Sequence, residues 1–284
     1  MGTLYVVGTP IGNLEDITLR ALRVLREVHV IAAEDTRTTA KLLAHYDIHT
    51  PMVSFFEHNE WVREDEILRI LETQDVALVS EAGMPTVSDP GYRLVSAAIS
   101  SGFSVVPVPG ASAVLAALAV SGLPTDSFLF LGFLPRRAAA RRRLLASVGD
   151  EPRTLICFEA PHRLRRTLDD ILQTLGDREV AIACELTKMF ESVWRGPVSV
   201  AVTRFQQESP RGEYTLVLAG AAEAQQERWE EPRVRGALSQ LIADGLSRRD
   251  AAAQVCRMAN WPKREVYRLA TEQATDADTR RDDA

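Results

Sequence analysis

DVALVSEAGMPTVSDPGYRLVSAAISSGFSVVPVPGASA (75–113) holds two short apolar runs, DVALVS and FSVVPVP, each emptying into a loop of glycine, proline and small residues. Between them lies an apolar segment of helix length, residues 92–100. A continuous apolar run bounded by turn residues reads as a strand buried on both faces, and strand–loop–helix–strand is the repeating unit of an α/β sheet. Toward the N-terminus the same unit recurs. LYVVG (4–8) runs into Thr9-Pro10-Ile11-Gly12-Asn13, and Leu19, Leu22, Leu25 and Val28 form an apolar stripe at near-helical spacing. VHVIAA (28–33) ends in Glu34-Asp35-Thr36-Arg37, followed by a helix near 38–45, a strand at 52–56 and a helix near 60–73. Residues 1–122 are therefore expected to form an N-terminal domain around a mostly parallel sheet covered on both faces.

Toward the C-terminus, Gly122-Leu123-Pro124-Thr125-Asp126 punctuates the chain. A second α/β domain, 123–222, is read from SFLFLGF (127–133), an Arg-rich helix near 136–147, TLICFEA (154–160) and a helix from Pro161 to Leu175. Further strands are expected at EVAIACEL (179–186), around 192–195 and at YTLVLAG (214–220). Residues 228–273 read as helices only, with short helices across the Gly245-Leu246-Ser247 turn resembling a nucleic-acid-binding helix pair. The last stretch, 274–284, has the composition of a disordered tail.

Of the 284 residues, 46% are apolar and 25% charged, which excludes wholesale disorder and fibrous repeats. No apolar run reaches the roughly 18 residues of a membrane span, and MGTLYVVGTPIGN lacks the form of a secretory leader. Cys157, Cys184 and Cys256 are far apart and odd in number, giving neither a metal spacing nor a disulfide framework, as expected of a cytoplasmic protein without a bound metal. The net charge of −6 argues against indiscriminate coating of nucleic acid. Basic residues nonetheless cluster. Arg136, Arg137, Arg141, Arg142 and Arg143 fall together with no acid among them, and 228–273 holds nine basic residues against six acidic. Such clusters suit phosphate contacts or a solvated helix face.

Ligands of open α/β sheets bind beyond the carboxyl ends of the strands. Three strand ends here open into side-chain-poor loops, 8–13, 80–91 and 109–113, which let main-chain groups approach a ligand. The absence of GxxxxGK[ST] argues against a P-loop nucleotide site, and Pro10 breaks a dinucleotide fingerprint. Residues at strand ends that suit proton handling are Glu34, Asp35, Arg37, His58, Asn59 and Glu81, and each is equally suited to capping a helix or fixing a loop.

Taken in order, GTPIGNLEDIT (8–18), AAEDTRTT (32–39), FFEHNE (55–60), SEAGMPTVSDPG (80–91), PGASA (109–113), GFLPR (132–136), FEAPHRL (158–164), ELTKMFE (185–191), Arg195-Gly196 and GEYTLVL (212–218) resemble the ribosomal RNA small subunit methyltransferase I family of the tetrapyrrole-methylase superfamily. The resemblance implies two α/β domains of tetrapyrrole-methylase type with a small helical C-terminal domain. It further implies an S-adenosyl-L-methionine-dependent homodimer that methylates the ribose 2′-hydroxyl of a decoding-centre cytidine in 16S rRNA, free or within the small ribosomal subunit. Carried over by position, the cofactor would contact Pro10, Glu81, Gly83, Met84, Val87, Ser112 and Ala113, with Phe158, Leu186 and Thr187 from the second domain. RNA contacts would fall to Arg136, Arg137, Arg141, Arg142, Arg143, His162 and Arg163. The family's second loop usually reads Ser-Asp-Ala-Gly-Thr-Pro; here Glu81 and Met84 replace its Asp and Thr, so a threonine side-chain contact is lost while main-chain contacts survive. The same fold also serves tetrapyrrole carbon methylation, and the two replacements would suit a non-catalytic RNA-binding assembly protein; the basic clusters favour RNA.

Overall fold

A computed structural model describes residues 1–56, 59–222 and 229–271; His58 and the 274–284 tail lie outside them. Two compact units divide the chain, Met1–Ala221 and Ala222–Ala284.

The first unit contains two five-stranded sheets. One is built from β1 (Thr3–Val7), β2 (Val30–Ala33), β3 (Met52–Ser54), β4 (Val76–Val79) and β5 (Ser104–Val108). All pairs are parallel and the order is β3-β2-β4-β1-β5. β2 (VIAA) and β4 (VALV) are buried at every position, which is why they read as unbroken apolar runs. Alternate residues of β2 serve opposite faces. Ile31 and Ala33 pack with Leu22 and Leu25 of α1 (Leu19–Glu27) and Leu43 of α2 (Thr36–His45). Val30 and Ala32 pack with Ile67 and Leu71 of α3 (Glu60–Leu71) and Leu94 of α4 (Tyr92–Ser100). β5 is an edge strand, so Pro107, which has no N–H to donate, is accommodated there.

The other sheet has the order β6-β7-β10-β8-β9, from β6 (Phe128–Phe133), β7 (Thr154–Glu159), β8 (Glu179–Cys184), β9 (Ser192–Pro197) and β10 (Tyr214–Leu218). β6 and β7 are parallel and the remaining pairs antiparallel. One face is covered by α5 (Ala113–Ser121), whose Val114, Ala117 and Leu118 meet Ile156, Ala181 and Val217. This helix follows directly from β5, so the chain passes from one sheet to the other at the third Gly/Pro loop. The opposite face carries α6 (Ala138–Ser147), α7 (Pro161–Leu175) and α8 (Val198–Gln207). In α7, Leu164, Leu168, Ile171 and Leu175 repeat at helical spacing and are buried, and Pro161 stands at its start. α8 has no counterpart in the sequence reading. Its β-branched Val198, Val200, Val202 and Thr203 disfavour a helix locally, yet Val198, Ala201 and Phe205 fall on one face and are buried.

The second unit contains α9 (Glu231–Ala243), α10 (Arg248–Ala259) and a helix over 263–271. Val234, Leu238, Val255, Val266 and Leu269 make its core, and the Trp261 indole N–H donates to the Trp229 carbonyl at 2.6 Å. The fold class is the one expected: two α/β halves followed by helices. Among the described residues no helix is long and apolar enough to cross a membrane, and no group of three or more His, Cys, Asp or Glu is placed to hold a metal ion.

Candidate active site

Because β4, β1 and β5 are neighbours, the loops after them leave the sheet side by side at its carboxyl edge. They are stitched together through the main chain. The Gly8 N–H donates to the Val108 carbonyl at 3.0 Å, while Thr9 and Gly83 exchange N–H···O bonds of 2.9 and 3.1 Å. A Cβ on Gly8 would lie 2.7 Å from the Gly110 Cα and 2.7 Å from the Met84 Sδ, so only glycine allows the first and third loops to touch. Gly83 needs its glycine for conformation, with φ at +84°. Thr86 and Ser88, at φ +75° and +68°, hold the left-handed region without that excuse, at a cost of roughly 1–2 kcal/mol each. Such strain is the mark of a loop whose shape is set by more than its own preferences.

These loops wall one side of a cavity of 1190 Å³. Its other side comes from the second sheet, where Phe133 ends β6, Phe158 and Glu159 end β7, Leu186 follows β8, and Tyr214 and Thr215 begin β10. α5 opens into the cavity at Ser112, whose hydroxyl accepts the Leu115 N–H at 3.4 Å. The positive end of that helix dipole therefore faces the space.

Ionisable groups are fixed around it. Glu34, at the end of β2, accepts the Glu81 N–H at 3.1 Å. Burial first, then the nearby Glu81 and Asp35 charges, raise its pKa against that hydrogen bond. Asp89 is pushed up to about 6, mainly by burial and next by the Glu34 charge, with a hydrogen bond from Ser80 opposing. Glu159, fully buried, is held by Arg163 at 3.0 Å, by the Thr167 hydroxyl at 2.5 Å and by the Ala160 N–H at 2.8 Å. Lys188 is clamped between Glu185 and Glu213 at 3.0 and 3.1 Å. Burial leads the causes that push the Tyr214 hydroxyl up to about 12, so it stays protonated. Thr187, at φ +66°, has a buried Oγ1 with no hydrogen-bond partner among the described residues. A buried orphan hydroxyl costs about 1–3 kcal/mol, which a ligand atom would relieve.

The structure brings together Pro10, Glu81, Gly83, Met84, Val87, Ser112, Ala113, Phe158 and Leu186, all of which line the cavity. Thr187 lies beside it, in a shallow hollow with Gly12 and Lys188. The proton-handling candidates separate. Asp35 is the N-cap of α2, accepting the Arg37 N–H at 2.7 Å, and that hydrogen bond holds its carboxyl below the usual range. Arg37 points to solvent beside it.

The arginine cluster also divides. Arg136, Arg137 and Arg143 are exposed, as is His162, while Arg142 is half-exposed and paired to Asp170 at 3.3 Å. Arg141 contradicts the expectation of a phosphate contact. Its side chain is 4% exposed and is spent on Asp170 at 2.5 Å, because residue 141 falls on the face of α6 that meets α7. Arg163 is likewise turned inward onto Glu159 and the Leu134 carbonyl. Asp89 and Phe133, both lining the cavity, escaped the sequence reading. The first sits in a Ser-Asp-Pro-Gly string that reads as a turn, and an aromatic in an apolar strand reads as core.

Residues 3–201 match the family model of the tetrapyrrole (corrin/porphyrin) methylases. A Synechocystis protein named ribosomal RNA small subunit methyltransferase I is 46% identical over 97% of this chain and 100% of its own length. The Thermotoga maritima protein of that name is 54% identical over 78% of this chain and 99% of its own. Among solved structures, uroporphyrin-III C-methyltransferase from Thermus thermophilus in complex with S-adenyl homocysteine aligns with TM-score 0.54 at 21% identity, over 76% of this chain and 97% of that one. A cobalt precorrin-4 methyltransferase aligns with TM-score 0.59 at 18% identity, over 76% and 94%. At such identities these two speak for the fold alone.

Proposed function

The chain belongs to the tetrapyrrole methylases and, within them, to the ribosomal RNA small subunit methyltransferase I family, and on that footing we propose that it methylates the ribose 2′-hydroxyl of a decoding-centre cytidine in 16S rRNA. The observation that carries the reading is the cavity itself, walled by three side-chain-poor loops from adjacent strand tips and roofed by the second sheet. S-adenosyl-L-methionine is the methyl donor, and when bound it supplies a methyl group already activated on a sulfonium sulfur.

The residues present fit that group. Pro10, Gly83 and Met84 line the wall, Val87 and Phe158 offer apolar contact, and the α5 N-terminus at Ser112 and Ala113 suits a carboxylate. Thr187 offers a hydroxyl that is otherwise unpaired, and Leu186 borders the same wall. Met84 turns its sulfur toward Gly8, so its side chain packs against the first loop while its backbone remains in the wall. The chain's contribution is alignment, since in-line attack on an activated methyl demands orientation above all.

Exposed Arg136, Arg137, Arg142, Arg143 and His162 supply the charge for holding RNA phosphates. The protein is assigned here to the cytoplasm, as a homodimer acting on 16S rRNA or the small subunit. Nucleoside mass spectrometry of 16S rRNA from cells lacking this protein tests the reading. One 2′-O-methylated cytidine is expected to disappear, and an unchanged nucleoside profile would overturn it.

A further inference from the structure

The proposed reaction releases a proton from the ribose hydroxyl, and the cavity holds few groups able to take it. Lys41 and Lys188 are cations. Tyr214 keeps its own proton. Glu159 is neutralised by Arg163 and saturated by Thr167 and the Ala160 N–H, and Glu213 is paired to Lys188. Glu34 is engaged by the Glu81 N–H, and Glu81 itself lies out in solvent on the rim. Asp89 remains. It is half-buried, lines the cavity, and is held by the Ser80 hydroxyl but by no ion-paired cation and no main-chain N–H among the described residues.

Its placement also suits the acceptor side. A Cβ on Gly132 would lie 3.3 Å from the Ser88 Oγ, so the strained loop bearing Asp89 rests against β6 one residue before Phe133. Phe133 is 59% exposed, lines the same cavity and has its ring braced by Phe158 with centroids 5.3 Å apart. An exposed, braced ring beside a carboxylate without an ion-pair partner suits a nucleotide, with the base stacked on the ring and the ribose over the carboxylate.

We infer that the Asp89 carboxylate accepts the 2′-hydroxyl proton during methyl transfer, with Glu34 as a positioning residue beside it; this rests on the function proposed above. The ribose oxygen forms its bond to the methyl carbon as the carbon–sulfur bond breaks, and that electron pair returns to sulfur. The hydroxyl proton passes to Asp89, and solvent takes it once the products leave. A base working near neutrality is most effective when its pKa is lifted toward the working pH, as burial and the Glu34 charge do here.

The test is single-turnover methyl transfer to unmethylated small ribosomal subunits across a range of pH, with cofactor affinity measured alongside. The wild-type rate is expected to fall on the acid side through a limb near pH 6. Asp89→Asn is expected to lower the rate by about 100-fold or more while cofactor affinity stays within about threefold. Glu34→Gln removes a neighbouring negative charge, so it is expected to move the limb to lower pH. An Asp89→Asn rate close to wild type, or a limb that Glu34→Gln leaves in place, would overturn the assignment while the methyltransferase reading stands. A wild-type protein that transfers no methyl group would take both down.

Discussion

Substituting Gly110 by alanine probes the contact on which the cavity depends. A Cβ there would stand 2.8 Å from the C, Cα and O atoms of Gly8, all of them backbone. Ordinary carbon–carbon contact lies at about 3.5–4.0 Å, so the first and third loops must part by about 1 Å. No flexible side chain is present to yield in their place. The displacement falls on the Gly8–Val108 hydrogen bond of 3.0 Å and on the exchange between Thr9 and Gly83. Overpacking of this kind costs about 1–3 kcal/mol, or about 2–4 °C of melting temperature per kcal/mol in a domain of this size. Because the damage sits in the cavity wall, cofactor affinity should fall by at least about tenfold, equivalent to about 1.4 kcal/mol. Calorimetric titration with S-adenosyl-L-methionine beside a thermal melt reads both quantities. Gly236→Ala in α9 is the control: nothing lies within 4 Å of its Cβ, so binding should be unchanged and the melting temperature should rise slightly. A Gly110→Ala protein that binds and melts as wild type would refute the loop contact.

Arg141→Met leaves Asp170 as a buried acid held only by half-exposed Arg142, and urea unfolding should show a loss of about 3 kcal/mol. Replacing Arg136, Arg137 and Arg143 by glutamine should weaken RNA binding and flatten its salt dependence with cofactor affinity unchanged, as read by filter binding across a salt series. Asp89→Asn should stabilise the fold even as it impairs activity. The folded-state pKa of Asp89 lies above its unfolded value, so the charged form burdens the native state above about pH 6 and not below about pH 4. With the carboxyl partly exposed, the gain at neutral pH should be about 1 kcal/mol after screening, vanishing in melts near pH 4.

Much of this architecture is legible from local patterns. Unbroken runs such as VIAA and VALV announce strands covered on both faces, and α7 declares itself through Leu164, Leu168 and Ile171 after Pro161. What spacing does not reveal is order within a sheet. That β1 lies between β4 and β5, and so gathers three loops into one wall, emerges only from pairing across long separations. Helix α8 was hidden because its β-branched residues favour extended chain, and burial of Val198, Ala201 and Phe205 decides otherwise. The run Arg141-Arg142-Arg143 looks uniform as text, but helical geometry sends the first inward to Asp170 and leaves the third in water. Asp89 has a turn-like context in sequence; its function-like features, partial burial and proximity to the Glu34 charge, belong to three dimensions.

Methyl transfer from tritiated S-adenosyl-L-methionine to unmethylated small ribosomal subunits, followed by alkaline hydrolysis of the 16S rRNA, addresses the central claim most directly. Alkali cleaves RNA through the free 2′-hydroxyl, so a methylated ribose protects its own linkage. The proposed function predicts label in a single alkali-resistant dinucleotide beginning with cytidine. Label recovered in mononucleotides, or none transferred to RNA, would contradict the account.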